Sequence, residues 1–349
     1  MPKVTTIILT HDQAARTLHA VRAVLPDLAA LDGDLVLVDQ ASSDGVAKQV
    51  EECVAGRVPL RVVHNPTNQS FATAANLAAR DAIGDFLLFL DNDTQICPGA
   101  LATLVASCEA DERAAAVGPK LVYPTGQIEQ AGLALPLWLV PFPIGGNARG
   151  DDHRFNFPRQ AFAVATSCML VRRPAFEAVN GFEERYIWGF EAADLALSFR
   201  KRAWKVLYEP RAVCVHEGGA SLSLDPALSA TDENRKILLE RWGVKLLGQV
   251  AQYLDRLAED GPRRFVIFGT GESGQHLAHT LEIGGYEVTG FLSGNGIRNV
   301  GAYPAWNVND IPEPGRGRVL IGSPYVRDAE EVLAGAGLLA GAALPILLE

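Results

Sequence analysis

The stretch that decides the fold is Phe86-Leu87-Leu88-Phe89-Leu90-Asp91-Asn92-Asp93, an apolar run that leads directly into two carboxylates. A run of this length and composition predicts a strand buried inside a parallel sheet. Asp91 and Asp93 stand one residue apart, so their side chains point to the same side of an extended segment. Unpaired carboxylates this close repel each other, whereas a divalent cation bridging to phosphate oxygens would hold them together. The stretch therefore predicts a central strand that ends at a cation site.

Short apolar runs precede this strand and alternate with helical patterns. The runs Val4–Leu9, Leu35–Val38 and Leu60–Val63 read as strands, and Ala14–Ala30 has the apolar spacing of a helix. This alternation indicates a parallel α/β sheet. In such sheets ligands bind beyond the carboxyl ends of the strands. Those ends carry further polar residues, namely Thr10-His11-Asp12, Asp39-Gln40 and Asn65.

The composition of the chain indicates a globular protein and argues against a nucleic-acid partner. The chain has 349 residues, of which 48% are hydrophobic and 21% charged, as expected for a globular protein of roughly two domains. Its 31 basic and 41 acidic residues give a net charge of −10, which repels phosphate backbones and argues against a nucleic-acid partner. The uncharged stretches 131–146 and 332–348 are shorter than the roughly 20 residues of a spanning helix. We expect no transmembrane segment.

Further motifs follow in a fixed order along residues 3–245. They are Val4–Thr10, Leu37–Gly45, the pattern of Asn65, Asn68, Phe71, Ala74 and Asn76, then Gly118–Leu121, Tyr123–Gly126, Gly181–Glu184, Trp188–Glu191 with Asp194-Leu195, and Tyr208–Pro210 with Val215-His216. Together with Asp91-Asn92-Asp93, they resemble glycosyltransferase family 2, the nucleotide-sugar-dependent transferases of GT-A fold. Ser70 replaces a glycine that is usual in the family's asparagine-rich segment.

The resemblance implies a role for each matching residue. Thr10 and Asp39 would contact the nucleoside, and Asp91 would face the ribose or the sugar. Asp93 would hold Mn²⁺ or Mg²⁺ on the diphosphate, with His216 as a second metal or diphosphate contact. The nucleotide-sugar site implied in this way consists of Thr10, Asp39, Asn68, Asn76, Asp91 and Asn92.

One acid of the family pattern is missing. The family usually carries two acids after its aromatic-glycine pair, and the second commonly acts as general base, but this chain reads Glu191-Ala192-Ala193-Asp194. Glu191 would replace the base after a small shift, or Asp194 would reach from the same helix face. In a third interpretation the chain is a non-catalytic sensor or scaffold that binds a nucleotide sugar. We favour Glu191 as the base, with Asp194 as a structural or acceptor contact.

A glycine motif marks the C-terminal part of the chain. The strand-like Phe265–Phe268 leads into Gly269, Gly271 and Gly274 and then into a helical pattern, which is the setting of a GxGxxG turn. The next strand ends in Ser293-Gly294-Asn295, without the acid that would hold a ribose. The segment resembles the small Rossmann-like domain of some sugar-modifying acyltransferases. Its glycines indicate either tight packing in a scaffold or oligomerisation domain, or an anion or nucleotide site.

These observations predict an α/β chain in three parts. Residues 1–224 form a GT-A domain, residues 225–261 a connecting amphipathic helix, and residues 262–349 a small Rossmann-like domain. The helix has an apolar stripe that predicts packing against a neighbouring domain or, alternatively, the seam of a homo-oligomer. The stripe consists of Leu239, Trp242, Leu246, Val250, Tyr253 and Leu257.

The predicted activity is transfer of a sugar from a UDP- or dTDP-sugar to a hydroxyl acceptor. The acceptor would be a glycan, a lipid-linked molecule or a protein, and the reaction would be metal-dependent and inverting by the resemblance. A nucleotidyltransferase can share this fold, but Thr10-His11-Asp12-Gln13 lacks the Gly-rich basic loop of that class. We expect a cytoplasmic protein, either in solution or peripheral to the inner face of the membrane.

Overall fold

The computed structural model describes residues 3–187, 189–218, 231–258, 263–293, 298–309, 311, 318–323, 326–336, 338 and 346–348. The chain forms two compact units. The first contains Met1–Leu133 and Pro143–Asn234, and the second contains Ala134–Phe142 and Arg235–Glu349. The predicted domain boundaries at residues 224 and 261 fall outside the described residues and stay predictions.

The elements are numbered in chain order. The strands are β1 (Val4–Thr10), β2 (Asp34–Gln40), β3 (Leu60–Asn65), β4 (Phe86–Asp91), β5 (Thr94–Ile96), β6 (Ala114–Val122), β7 (Ile128–Gln130), β8 (Leu133–Pro136), β9 (Phe142–Pro143), β10 (Arg159–Ala161), β11 (Cys168–Arg172), β12 (Lys205–His216), β13 (Arg264–Phe268), β14 (Glu287–Ser293), β15 (Asn299–Val300), β16 (Tyr303–Asn307), β17 (Arg318–Ile321) and β18 (Ile346–Leu348). The helices are α1 (Ala14–Ala30), α2 (Val46–Val54), α3 (Phe71–Arg80), α4 (Ala100–Glu109), α5 (Arg173–Ala178), α6 (Glu191–Lys201), α7 (Thr231–Ala258), α8 (Glu272–Ile283) and α9 (Val326–Gly335).

A mixed sheet forms the centre of the first unit, with strand order β10-β12-β6-β11-β4-β1-β2-β3 and with β5 and β7 attached to β12 and β6. Strand β1 runs parallel to both β2 and β4, and β11 enters antiparallel between β4 and β6. The register pairs Thr10 with Asp39 and Leu9 with Asp91. Both pairs lie at the carboxyl ends of adjacent parallel strands. The polar residues at these strand ends therefore lie next to one another, as predicted.

The sheet is held by apolar packing on both faces. On one face, Ile8, Leu88 and Leu90 share a buried cluster with residues of α1, α2 and α4. On the other face, the ring of Phe89 lies 5.3 Å from that of Phe176 and 5.0 Å from that of Phe182. Successive side chains of a strand point to opposite faces, so the uninterrupted apolar run of β4 suits a strand covered on both sides. The run is buried throughout, as predicted.

The second unit contains a smaller sheet with the order β15-β16-β14-β13-β17. Strand β13 runs parallel to β14 and β17, and β14 runs parallel to β16. When the four parallel strands are numbered by their order in the chain, they lie side by side in the sheet as 3-2-1-4. The doubly wound dinucleotide fold begins with the same strand order. The Rossmann-like assignment itself stays a prediction.

The long helix α7 follows the predicted amphipathic segment, with a shift of its buried side. Leu246 and Val250 are buried as predicted, and Leu238 and Leu254 are buried in place of their neighbours. The other members of the predicted stripe, Leu239, Trp242, Tyr253 and Leu257, are half-buried. Among the described residues, no helix combines the length and apolar character needed to cross a membrane.

Candidate functional site

Three predicted site residues meet where β4 and β12 end. Ligand atoms of Asp91, Asp93 and His216 all lie within 4.8 Å of one another. The pairing of β12 with β5 sets His216 opposite Thr94, and the Glu217 N–H donates to the Asp93 carbonyl oxygen over 3.2 Å. Backbone pairing therefore fixes the distance between the two strand ends. Two carboxylates and an imidazole form a donor set that fits Mn²⁺ or Mg²⁺ and leaves coordination positions for phosphate oxygens.

The electrostatics of this cluster also fit a cation. Burial raises the pKa of Asp91 to about 6, helped by the charges of Asp93 and Glu129 and opposed by His216. Burial lowers the pKa of His216, but its hydrogen bonds to Asp93 and Glu129 outweigh burial and raise the pKa to about 10. Positive charge therefore stabilises the ionised carboxylates of this cluster. The protonated imidazole supplies it, and a divalent cation bound there would take the place of the Nε2 proton and supply more.

Glu129 is a member of this site that the sequence motifs did not identify. It lies on β7, and its two carboxylate oxygens accept from His216 Nδ1 over 2.9 and 2.7 Å. The other ring nitrogen, Nε2, lies 3.2 Å from Asp93 Oδ1. Nothing in the local pattern of Gln127-Ile128-Glu129 distinguishes it from an ordinary strand acid, so its position becomes visible only in the folded sheet.

Asp39 lies near the carboxyl end of β2, where it pairs with Thr10 of β1, and its contact with a nucleoside stays a prediction. Its Oδ1 accepts from the Ser42 N–H over 2.9 Å, and its Oδ2 lies 3.1 Å from His64 Nδ1. Burial raises the pKa of Asp39, but the hydrogen bonds from Ser42 and His64 outweigh burial and hold it below its ordinary value. The carboxylate is thus ionised at neutral pH and acts as an acceptor. His64, which the motifs did not single out, is largely exposed beside it.

Thr10 and Asn92 belong to one polar cluster at the ends of β1 and β4. The Asn92 amide donates to the hydroxyls of Thr10 and Thr17 over 3.4 and 3.3 Å. Thr10 is buried and also donates to the Asp12 carbonyl oxygen over 2.9 Å. The structure therefore brings these two predicted residues together, although their side chains are largely engaged with the protein.

The two other asparagines of the predicted set occupy different surroundings. Asn68 is exposed in the segment between β3 and α3. The Asn76 amide is buried, donates to the Phe182 carbonyl oxygen and to Glu184, and accepts from the Phe182 N–H over 2.9 Å. These bonds join α3 to the segment that follows α5. Contact of either asparagine with a nucleotide sugar stays a prediction.

The acids of the incomplete motif lie in the first turn of α6. Glu191 is 3% exposed, and its Oε1 has no hydrogen-bond partner among the described residues. Burial raises the pKa of Glu191 to about 8, and the nearby charge of Asp91 adds to the effect. Asp194 is buried and accepts from the Tyr186 hydroxyl over 3.2 Å. Ala192, at the position where the family places its base, is buried as well.

The glycine turn of the second unit lies between β13 and α8. Gly269 has φ +115°, and a Cβ there would lie 2.7 Å from the Gly322 carbonyl oxygen. A Cβ on Gly274 would collide with the Gly269 carbonyl group, whereas one on Gly271 would face open space. Close backbone packing thus accounts for Gly269 and Gly274. An anion site at Gly269, Gly271 and Gly274 stays a prediction.

Comparison with known proteins supplies the family. The model of glycosyl transferase family 2 matches residues 5–179, about half of the chain. N-acetylglucosaminyl-diphospho-decaprenol L-rhamnosyltransferase of Mycobacterium tuberculosis (strain CDC 1551 / Oshkosh) is 28% identical over 225 residues, covering 55% of this chain and 69% of that protein. O-antigen biosynthesis protein RfbC of Myxococcus xanthus is 30% identical over 159 residues, covering 43% of this chain but only 12% of that protein.

A solved structure supports the fold. GalNAc-T7 with UDP, GalNAc and Mn²⁺ superposes with a TM-score of 0.56 at 18% identity, covering 82% of this chain and 55% of that one. At this identity the likeness concerns the fold, and it confirms the predicted GT-A architecture. The matched family segment contains β1, β2 and β4, the strands that present Thr10, Asp39 and Asp91. The chain belongs to glycosyltransferase family 2.

Proposed function

We propose that this chain transfers a sugar from a UDP- or dTDP-sugar to a hydroxyl group, with the help of Mn²⁺ or Mg²⁺. The observation that carries the proposal is the cluster of Asp91, Asp93 and His216 at the strand ends of a family 2 chain. An acidic protein that binds an anionic diphosphate needs a source of positive charge at the site. The cluster is suited to hold one as a divalent cation.

The names of the relatives support the substrate classes. One relative is by name an L-rhamnosyltransferase that acts on N-acetylglucosaminyl-diphospho-decaprenol, and another takes part in O-antigen biosynthesis. GalNAc-T7 was solved with UDP and Mn²⁺. A lipid-linked or glycan acceptor is therefore favoured over a protein acceptor in this proposal, and a deoxyhexose belongs among the donors to test.

Asp93 and His216 would hold the cation, and Asp91 would face it or the adjoining ribose. A cation bound there would neutralise the diphosphate leaving group as its bond to the sugar breaks. Asp39, ionised by its hydrogen bonds from Ser42 and His64, would accept from a donor group of the nucleoside. Asp39, Asp91 and His216 lie near the ends of paired strands, and Asp93 lies in the short turn between β4 and β5, which supports a site with little freedom to move.

Glu191 is our candidate for the general base. Its unpartnered Oε1 leaves an acceptor for the proton of an incoming hydroxyl, and its pKa of about 8 suits proton transfer near neutral pH. The deprotonated acceptor oxygen would attack the anomeric carbon in line with the departing diphosphate, which inverts the configuration at that carbon. Asp194 is less suited, because it already accepts from the Tyr186 hydroxyl.

The alternative is a non-catalytic sensor or scaffold, which the alanine at residue 192 motivates. The buried, unpartnered oxygen of Glu191 favours the enzyme, because such a group costs stability without serving the fold.

The experiment is a panel of UDP- and dTDP-sugars incubated with the protein and Mn²⁺, following binding and nucleotide release with and without polyprenyl-diphosphate-linked acceptors. We expect Mn²⁺-dependent release from one donor, accelerated by an acceptor. Metal-dependent binding without release under any of these conditions would favour the sensor. Release of pyrophosphate from a nucleoside triphosphate would instead point to the nucleotidyltransferase class.

A further inference from the structure

We infer that Glu129 is a positioning residue for the metal site, whose carboxylate holds the His216 imidazole with Nε2 presented to the cation. The inference rests on the proposed metal dependence and extends it to a residue outside the sequence motifs. Asp91 and Asp93 reach the site from the end of β4, and His216 reaches it from β12. Glu129 comes from a third strand, β7.

The geometry assigns the two ring nitrogens of His216 to different partners. Nδ1 lies 2.9 and 2.7 Å from the two oxygens of Glu129, and Nε2 lies 3.2 Å from Asp93 Oδ1. Both ring nitrogens face carboxylates, so a cation bound at Asp93 would take the place of the Nε2 proton, whereas Nδ1 would keep its proton because the ionised Glu129 carboxylate only accepts hydrogen bonds. The lone pair of Nε2 is then left for a metal. A carboxylate bound to the far nitrogen of a histidine ligand fixes the tautomer and ring orientation and makes the ligand more basic.

The backbone of β7 holds Glu129 in this position. Strand β7 pairs with β6, which in turn pairs with β12. On its other edge, the Ile128 N–H donates to the Ala148 carbonyl oxygen over 2.7 Å, and the Ile128 carbonyl oxygen accepts from the Asn147 N–H over 2.8 Å. Ile128 is buried, so Glu129 faces the opposite side of the strand, where its side chain is 20% exposed. Backbone pairing therefore holds Glu129 in place, and its carboxylate lies on one defined side of the strand.

The partners of Glu129 also point to this role. Among the described residues, Glu129 forms its ion pair with His216. The neighbouring acid Glu217 forms its ion pair with Arg16 over 2.8 Å, so it serves a different contact a short distance away. Glu129 thus supplies the negative charge that pairs with His216. Glu217 pairs with Arg16 instead, so it serves as a matched acid for comparison.

The test compares Mn²⁺ binding by wild type, Glu129→Ala, Glu129→Gln and Glu217→Gln, each measured by electron paramagnetic resonance of free Mn²⁺. We expect Glu129→Ala to raise the Kd for Mn²⁺ about 10- to 100-fold. Glu129→Gln keeps an acceptor for Nδ1 and is expected to lose less. Glu217→Gln is expected to bind Mn²⁺ as wild type does, because its charge lies outside the histidine contact.

A second readout reports on the imidazole itself. In the Mg²⁺-loaded protein, ¹⁵N spectra of His216 should show a neutral ring with its proton on Nδ1 and the metal on Nε2, and Glu129→Ala should show a smaller share of this form at the same Mg²⁺ concentration. Wild-type Mn²⁺ affinity in Glu129→Ala, or an equal loss in Glu217→Gln, would overturn the inference. Circular dichroism checks the fold, and the nearly isosteric Glu129→Gln keeps the test valid if the alanine variant unfolds.

The outcomes separate this inference from the proposed function. If wild type does not bind Mn²⁺ at all, the metal dependence is wrong and the role of Glu129 falls with it. If Asp93→Ala loses Mn²⁺ while Glu129→Ala retains it, the metal site stands and only the inference about Glu129 is wrong.

Discussion

At the scale of single residues, Glu191 is the side chain whose environment is hardest to explain by folding alone. The first turn of a helix favours a carboxylate, yet burial raises the pKa of Glu191 to about 8 and leaves Oε1 without a hydrogen-bond partner among the described residues. A glutamine of the same size would avoid the cost of ionising a buried group at this place. The residue therefore has the character of a group kept for chemistry.

Glu191→Gln should reduce sugar transfer about 10²- to 10⁴-fold, because the amide cannot take the acceptor proton. Binding of the nucleotide should change little, since the role proposed for Glu191 is toward the acceptor hydroxyl. Initial rates and calorimetric nucleotide binding test both statements. The matched variant Asp194→Asn should retain more activity. Unchanged turnover in Glu191→Gln would move the role of base to another group.

Glu191→Gln should also stabilise the fold in a pH-dependent way. The pKa of Glu191 is raised from 4.5 to about 8, so ionising this group destabilises the folded state. The penalty is absent below about pH 4.5, grows with rising pH and is complete above about pH 8. With about 1.4 kcal/mol per pKa unit, the variant should gain a few kcal/mol at high pH.

Urea unfolding at pH 5, 7 and 8.5 measures this gain. The control is Glu177→Gln, an exposed residue paired with Arg173, which should show no gain that grows with pH. A gain for Glu191→Gln that stays the same at every pH would contradict the assignment of a buried ionisable group.

At the scale of elements, the sequence predicts a feature when the residues that determine it are contiguous in the chain. The apolar run of β4 and the acids after it are contiguous, so the strand and its direction follow from the pattern. His216 was assignable only through the family motif. Glu129 was not assignable at all, since its place depends on β7 pairing with β6 and β6 with β12, contacts between segments distant in sequence.

Side-chain direction was the other limit. Asn76 matches the family's asparagine motif, but its amide bonds to Phe182 and Glu184, which a pattern in α3 alone does not reveal. In α7 the buried side is displaced by one residue at two positions, from Leu239 to Leu238 and from Tyr253 to Leu254. Helical periodicity locates an apolar face, and the packing partner decides which residues at its margin are covered.

The β13–α8 turn gives a prediction at this scale. Gly274→Ala should destabilise the protein by about 1–3 kcal/mol, because its Cβ would collide with the Gly269 carbonyl group and force the turn apart. Gly271→Ala, whose Cβ faces open space, should cost less than about 1 kcal/mol. Thermal unfolding compares the two variants. Equal losses would contradict the packing interpretation.

At the scale of the whole molecule, the acidic character of the chain and its proposed substrate are in tension. The net charge is −10, and the donor carries a diphosphate. The cluster of Asp91, Asp93 and His216 resolves this tension if a divalent cation binds there, because the cation reverses the local charge where the diphosphate must lie. The metal would thus serve recognition of the donor as well as departure of the leaving group.

The central claim is that this cluster makes the chain a metal-dependent nucleotide-sugar transferase. The most direct measurement is nucleotide release from the preferred donor by wild type and Asp93→Ala, each with Mn²⁺ and with chelator. We expect release by wild type with Mn²⁺ only, and a loss of at least about 100-fold in Asp93→Ala with its fold intact. Wild-type activity of Asp93→Ala in the presence of chelator would contradict the claim.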